Sequence, residues 1–279
     1  MQSPASLDST PDRSHSCHGY QRQVEFEAEA REFLTRGLVE GQRVLYVAPG
    51  DSGDFTRRLG MDGVFEEGAR RGAVQVASLD ETYSSGAVVD PEQQVRAYAA
   101  ATEQALAAGF TGLRVAADAT PLVRTPAQLD AFARYEHLVD RYMAAHPMSA
   151  MCAYDRTELG DGAVAQLACL HPRSSTGATP FHLHAHAPDW ASAALDGELD
   201  LESRPLWSVA LERADLPVAD GEIVIDATGL AFVDHRGLLA LADHAERRGV
   251  TVVLRTPLPH LSHVLQLLDV TGIRVEQVR

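Results

Sequence analysis

The sequence predicts an α/β protein of two units: an N-terminal three-layer unit on a mainly parallel sheet, and a C-terminal unit with a mixed sheet and helices on one face. Three observations carry this. Short apolar runs alternate with amphipathic helical runs from Val24 to Asp155, the pattern of parallel βαβ units. At His171 the alternation breaks into "HPRSSTGATP", small and polar like a linker. A second alternation then runs from Pro180 to the end, enough chain for one compact sheet.

Taken in order, residues 1–14 are polar and aperiodic and are expected to form a flexible tail. From Val24, apolar Phe26, Ala30, Phe33, Leu34 and Leu38 recur at helical spacing, and Gly41 is a stop signal. "RVLYVA" reads as a strand, followed by the turn "PGDSGD", a short helix in "DFTRRLGMDG" and the strand "GAVQVAS". The next helix starts with Asp90 and Pro91, a cap and an N-terminal proline, and ends at Gly109. "GLRVAAD" is a strand, "TPAQLDAFARYEHLVDRYMAAH" a helix and "SAMCAYD" a strand. Beyond a linker at 173–179, "FHLHAHA" alternates strictly, and "WASAALDGELDL" reads as a hairpin and turn. "PLWSVALERAD", "RGLLALADHAERRG" and "HLSHVLQLLDVTG" are predicted helices, with "GEIVIDATG", "AFVD" and "VTVVLRTP" as strands between them. The expected units are therefore 15–172 and 180–279.

Composition narrows the function. A formal charge of −15 repels phosphate backbones and anionic bilayers, so no direct nucleic-acid partner and no membrane is expected. The chain contains no lysine, which excludes Schiff-base chemistry and the lysine of a phosphate-binding loop. Three scattered cysteines, the lack of an N-terminal apolar run and the shortness of every apolar stretch point to a cytoplasmic protein with reduced thiols.

In the second unit, "LDGELD", "IDATGLAFVD", "RGVTVVLRTP" and "VLQLLDVTGI" follow one another in one register. This order resembles the STAS domain of anti-sigma-factor antagonists. The resemblance implies docking on an anti-sigma factor or other regulatory protein through the turn that opens the helix after the short strand. In phosphorylatable members that turn reads Asp-Ser-Ser-Gly, with phosphate on the second serine. Here it reads Asp234, His235, Arg236, Gly237, so a permanent cation stands at the phosphoacceptor position. Asp234 is expected to cap the helix, and Arg236, disfavoured at a helix N-terminus, to turn towards a carboxylate, either Asp234 or an acid on another protein.

In the first unit, "HSCHGY", "FLTRGLVEGQRVLYVA", "GFTGLRVAADATPLV", "FARYEHLVDRY", "AMCAYDR" and "CLHP" together resemble the MEDS sensory domain, a relative of the circadian-clock branch of RecA-like ATPases. In the ATP-hydrolysing relatives a glycine-rich loop ending in Gly-Lys-Ser/Thr precedes the first helix. Here "HSCHGYQRQ" stands in that place with one glycine and no lysine, so hydrolysis by that route is excluded. Asp118 stands where the magnesium-binding acid would be, with turn capping as its plainer role. What the resemblance implies is a sensory pocket at the carboxyl ends of the strands. It would be built from His15, Cys17, His18 and Tyr20, with Asp118, Glu136 and Tyr154 beside them and Tyr46 and Asp51 as further neighbours.

Other constellations are weaker. His15, Cys17 and His18 are acceptable metal ligands, but a closed site needs a fourth, which His137 or His171 would have to bring from a distance. His182, His184 and His186 share one face of a strand about 7 Å apart, too far for all three to hold one ion, which favours a solvent or domain-contact face. Neither "TYSSG" nor "GDSGD" has the context of a catalytic triad. The reading is a non-catalytic signalling regulator without a cofactor, taking a small-molecule signal and docking a regulator, with a homodimer as default. The alternative is a metal- or haem-binding sensor or enzyme using the His/Cys cluster.

Overall fold

The computed structural model describes residues 15–50, 63–83, 88–186 and 190–278. The expected tail, the "DFTRRLGMDG" helix except Gly63, Asp51 and part of "TYSSG" lie outside them.

The first sheet has six strands, all parallel: β1 (His15–Tyr20), β2 (Arg43–Ala48), β3 (Val74–Ser78), β4 (Leu113–Asp118), β5 (Met148–Asp155) and β6 (Arg173–Ser174). They lie in the order β3-β2-β4-β5-β1-β6. Strand β4 is buried along its whole length, as a parallel strand covered on both faces must be. Helix α1 (Gln23–Val39) covers one face with Phe26, Ala30, Phe33, Leu34 and Leu38, joined by Tyr46, Met151 and Phe65 of α2 (Val64–Arg70). On the other face lie α3 (Pro91–Ala107), α4 (Pro126–Ala145) and α5 (Asp161–Ala168), packed over Val47, Val115, Ala117 and Cys152. Asp90 caps α3 by accepting from the Gln93 N–H at 2.9 Å, with Pro91 at the first turn.

Two strands of the first sheet depart from the sequence reading, and α5 was not assigned by it. The segment "HSCHGY" is a central strand paired residue by residue with β5, His15 opposite Ala150 and Tyr20 opposite Asp155. A parallel strand ordinarily reads as an apolar run, and the polar or small residues His15, Ser16, His18 and Gly19 hide this one. Residues 173 and 174, read as linker, pair with Ser16 and Cys17 and close the sheet edge.

The second sheet orders its strands β10 (Leu230–Val233), β8 (Ala193–Leu199), β9 (Glu222–Asp226), β11 (Thr251–Thr256) and β12 (Ile273–Gln277), with β7 (Phe181–His184) antiparallel to β8. The other pairings are parallel, so the sheet is mixed, as expected. Strand β12 was not foreseen. Helices α6 (Arg204–Ala214), α7 (His235–Arg248) and α8 (Leu261–Leu267) pack on this sheet. Trp207 of α6 is fully buried edge-on to Phe181 and donates its indole N–H to the Gly237 carbonyl at 3.1 Å. That bond ties α6 to the start of α7.

The units meet along α4 and α6. Arg213, 8% exposed, donates to Asp130 at 3.1 Å and to Gln166 at 2.9 Å, and Arg134 donates to the Glu212 carbonyl at 3.1 Å. The Ala185 N–H donates to Asp140 at 2.6 Å, and a ring nitrogen of His182 to the His171 carbonyl at 2.7 Å.

Candidate functional site

Strand geometry decides which of the expected site residues meet. A strand rises about 3.3 Å per residue and alternates faces, so His15 and Tyr20 stand about 16 Å apart. His15 and Cys17 point to the face of α4 and α5, and Tyr20 points to that of α1. The single pocket expected from residues 15, 17, 18 and 20 is thus divided, and His15 lies at the amino end of its strand, away from the carboxyl ends.

At the carboxyl end, Tyr20 donates its hydroxyl proton to Asp118 at 2.9 Å, and its ring stacks on Phe26, which stacks on Tyr46. Asp118 also accepts from the Thr120 N–H at 3.2 Å and hydroxyl at 2.7 Å. Burial raises the Asp118 pKa despite those donors. The carboxylate thus accepts three hydrogen bonds, two that close the turn to Thr120 and one from Tyr20 on β1.

Between β1 and α1 stand two residues, Gln21 and Arg22. A phosphate-binding loop needs roughly eight. The backbone N–H groups of Gln21 and Arg22 donate to the Glu25 carboxylate at 3.0 and 3.2 Å, which fills the anion position at this helix start from within the chain. His18 lies on the same side and lines a cleft of about 250 Å³ with Glu29, Phe33, Arg36, Met151 and Arg173. Burial lowers its pKa.

Around His15 lies a buried polar cluster. His15 Nδ1 is 3.0 Å from Asp140 and its Nε2 3.2 Å from Glu136. Tyr154 donates to the other Glu136 oxygen, and the Cys152 thiol approaches Glu136 at 3.4 Å and His15 Nε2 at 3.8 Å. His171 completes the group, its ring 4.0 Å from that of His15 and its Nε2 3.6 Å from Glu136. None of these residues is more than 5% exposed. Burial pulls the His15 pKa down, but the hydrogen bonds to Asp140 and Glu136 outweigh it and lift the value to about 9. Burial, then the neighbouring His15, lowers His171 to about 4. Burial, followed by the Glu136 charge, pushes the Cys152 thiol well up.

Sequence reasoning found His15, Glu136 and Tyr154 but missed Cys152 and Asp140, and it held His171 only as a distant candidate. The spacing of Glu136 and Asp140, one turn apart on a helix face, was the available signal. His137 is buried elsewhere. The three histidines of the β7 region share no ligand: His184 pairs with Asp196 at 2.9 Å and His186 with Asp226 at 3.0 Å, while His182 engages a backbone carbonyl.

In the second unit, Asp234 caps α7 by accepting from the Gly237 N–H at 2.7 Å. His235 and Arg236 are exposed, and no carboxylate among the described residues, Asp234 included, pairs with Arg236, which leaves an acid on another protein as the expected partner. Beside them stand Phe232, 47% exposed, and Leu239, 44% exposed. No helix among the described residues is long and apolar enough to cross a membrane.

Two family models match the chain. Residues 14–172 match the MEDS domain, described as the methanogen/methylotroph, DcmR sensory domain, and residues 186–276 match the Mlab, STAS domain. No curated protein matches it.

Proposed function

We propose, from the premise that this chain belongs to the MEDS family and carries a STAS domain behind it, that it is a non-catalytic signalling regulator docking an anti-sigma factor or similar protein. Both domain families are regulatory or sensory, and STAS domains mediate protein–protein contact. The observation that carries the finer reading is the turn at the start of α7. Two large apolar side chains, Phe232 and Leu239, flank an arginine without a partner among the described residues. An exposed apolar pair beside an uncommitted guanidinium is the composition of an interface anchor. Because position 236 is arginine, docking there is governed by contact and not by a phosphate on that residue.

The MEDS module supplies the input. Glu25 fills the helix terminus where a nucleotide phosphate would sit, which supports a module that does not turn over ATP. The His18 cleft is the proposed seat of a small polar signal.

The test is calorimetric titration of a purified anti-sigma factor of the serine-kinase class onto the full chain and its Arg236→Glu variant. Charge reversal at a central cation is expected to weaken binding by at least about tenfold. Equal affinities for the two proteins would remove the turn from the interface.

A further inference from the structure

We infer that the buried cluster around His15 is a closed binding site for one divalent transition ion, with zinc the best fit. Its ligands are His15 Nε2, His171 Nε2, Glu136 Oε2 and Cys152 Sγ, four donor atoms that lie within 4.8 Å of one another. This assignment is independent of how the STAS turn docks.

The first support is geometric. Zinc bond lengths of about 2.0–2.3 Å in a tetrahedron require ligand–ligand separations of about 3.3–3.8 Å. The corresponding edges here are 3.2 Å from His15 to Glu136, 3.8 Å from Cys152 to His15, 3.4 Å from Cys152 to Glu136 and 3.6 Å from His171 to Glu136. These four of the six edges, between donors brought in from a strand, a helix, a second strand and the turn after α5, match that polyhedron to within about 0.3 Å, and every donor pair lies within 4.8 Å.

The second support is the orientation of the imidazoles. His171 Nδ1 lies 2.9 Å from the Leu167 carbonyl, and a carbonyl only accepts, so Nδ1 carries the hydrogen. Nε2 therefore presents its lone pair to the cluster, where it is fully buried and has no hydrogen-bond partner. His15 is held likewise, Nδ1 against Asp140 and Nε2 inward. An outer acceptor that fixes the ring and aims the other nitrogen is how metal-binding histidines are oriented. A proton on His15 Nε2 could serve the edge to Glu136, but it leaves the His171 nitrogen unserved. One cation at the centre serves all four donors.

The donor set selects the ion. Two imidazoles, one thiolate and one carboxylate are of borderline softness, and a tetrahedral arrangement disfavours Cu(II), Mg²⁺ and Ca²⁺. The charges of the Cys152 thiolate and Glu136 together balance a dication. With four protein ligands the site is closed, which suits a structural or sensing ion and not hydrolysis by a bound water.

The experiment uses tag-free full-length protein. Zn²⁺ affinity is measured by competition with a chromophoric chelator, and Co²⁺ titration is followed in the visible and near-ultraviolet. The expected result is one ion per chain, tetrahedral Co²⁺ bands and a thiolate charge-transfer band. Cys152→Ser should abolish that band and, with His171→Gln, weaken Zn²⁺ binding by a factor of roughly 100 or more. Cys17→Ser, which alters a buried thiol outside the ligand set, should retain both band and affinity. Absence of stoichiometric binding by folded wild-type protein overturns the assignment. So does a charge-transfer band that survives Cys152→Ser, or one that is lost in Cys17→Ser. Should the Cys152 and His171 variants fail to fold, unfolding of wild-type protein by a chelator, reversed by Zn²⁺, supports the site, and a far-ultraviolet spectrum unchanged by complete Zn²⁺ removal in a wild type that also shows no Co²⁺ bands refutes it.

Discussion

Replacing Arg213 with alanine tests whether the two domains unfold as one body. Arg213 projects from α6 into the first domain, where it donates to Asp130 at 3.1 Å and Gln166 at 2.9 Å while its stem is covered. The bond to Asp130 is charge-assisted, but that carboxylate is 48% exposed and already holds Arg134 at 3.0 Å, so solvent screening reduces its contribution to about 1 kcal/mol. The bond to the neutral Gln166 adds about 1 kcal/mol, and loss of the buried methylene packing somewhat less. Truncation strands no charge, because Asp130 keeps Arg134. The sum is roughly 2–3 kcal/mol. Both tryptophans, Trp190 and Trp207, lie in the second unit, so their fluorescence follows that unit while far-ultraviolet circular dichroism follows both. In urea the wild type is expected to give coincident transitions. Arg213→Ala should bring the fluorescence transition to lower urea ahead of the other. A loss under about 0.5 kcal/mol with the transitions still coincident, within the range of an ordinary surface change, would refute the reasoning.

Other predictions follow from single contacts. Incubation with an anti-sigma kinase and ATP should leave residues 232–240 unmodified by mass spectrometry, since Asp234, His235, Arg236 and Gly237 offer no hydroxyl; phosphate in that window contradicts the contact-only turn. Gly197 has φ of +95°, and a Cβ there would meet the Pro180 carbonyl oxygen at 2.4 Å and the Phe181 Cα at 2.9 Å, so Gly197→Ala should cost roughly 2–4 kcal/mol in thermal or urea unfolding. Burial pulls the His184 pKa down, but the hydrogen bond to Asp196 and the charge of Asp140 outweigh it and leave the value raised. The imidazolium therefore contributes stability that is fully present below the unfolded pKa near 6.5 and lost as pH rises through the higher folded value. His184→Gln should accordingly cost about 1 kcal/mol at pH 6 and little at pH 9, and a cost independent of pH would exclude the ion pair.

The fold was open to sequence reading wherever periodicity and caps acted together. Asp90 with Pro91, the run from Phe26 to Leu38, and Asp234 ahead of Gly237 each declare a helix through local chemistry, and each is a helix here. Strand β1 failed for a physical reason. Its residues His15, Ser16, Cys17, His18 and Gly19 carry little strand propensity, and their burial is granted by neighbours far along the chain. Residues 173 and 174 are strand only because β1 leaves an edge for them. The same cause hid the site. His15 meets Glu136 and Cys152 across 121 and 137 residues, and no spacing rule spans such gaps. Yet once "HSCHGY" is seen as a strand, period two alone separates His15 and Cys17 from His18 and Tyr20.

The location of the buried cluster bears on how the domains communicate. Signals in open parallel sheets are ordinarily received at the carboxyl ends, and would then have to cross the sheet to reach a second domain. Here the cluster runs from His15 at the amino end of β1 to Cys152 and Tyr154 further along β5, beneath α4, which contacts the second domain. Asp140 uses one carboxylate oxygen for His15 and the other for the Ala185 N–H at 2.6 Å, so one side chain holds both the cluster and the backbone that leads into the second domain. His171 faces the cluster through Nε2 while its own carbonyl accepts from His182. Helix α4 carries Glu136 and Asp140 towards the cluster and Asp130 and Arg134 towards α6. A ligand acting on the cluster therefore needs no relay through the sheet to shift the domain contact. What it needs is a different affinity for the two arrangements of α4 against α6.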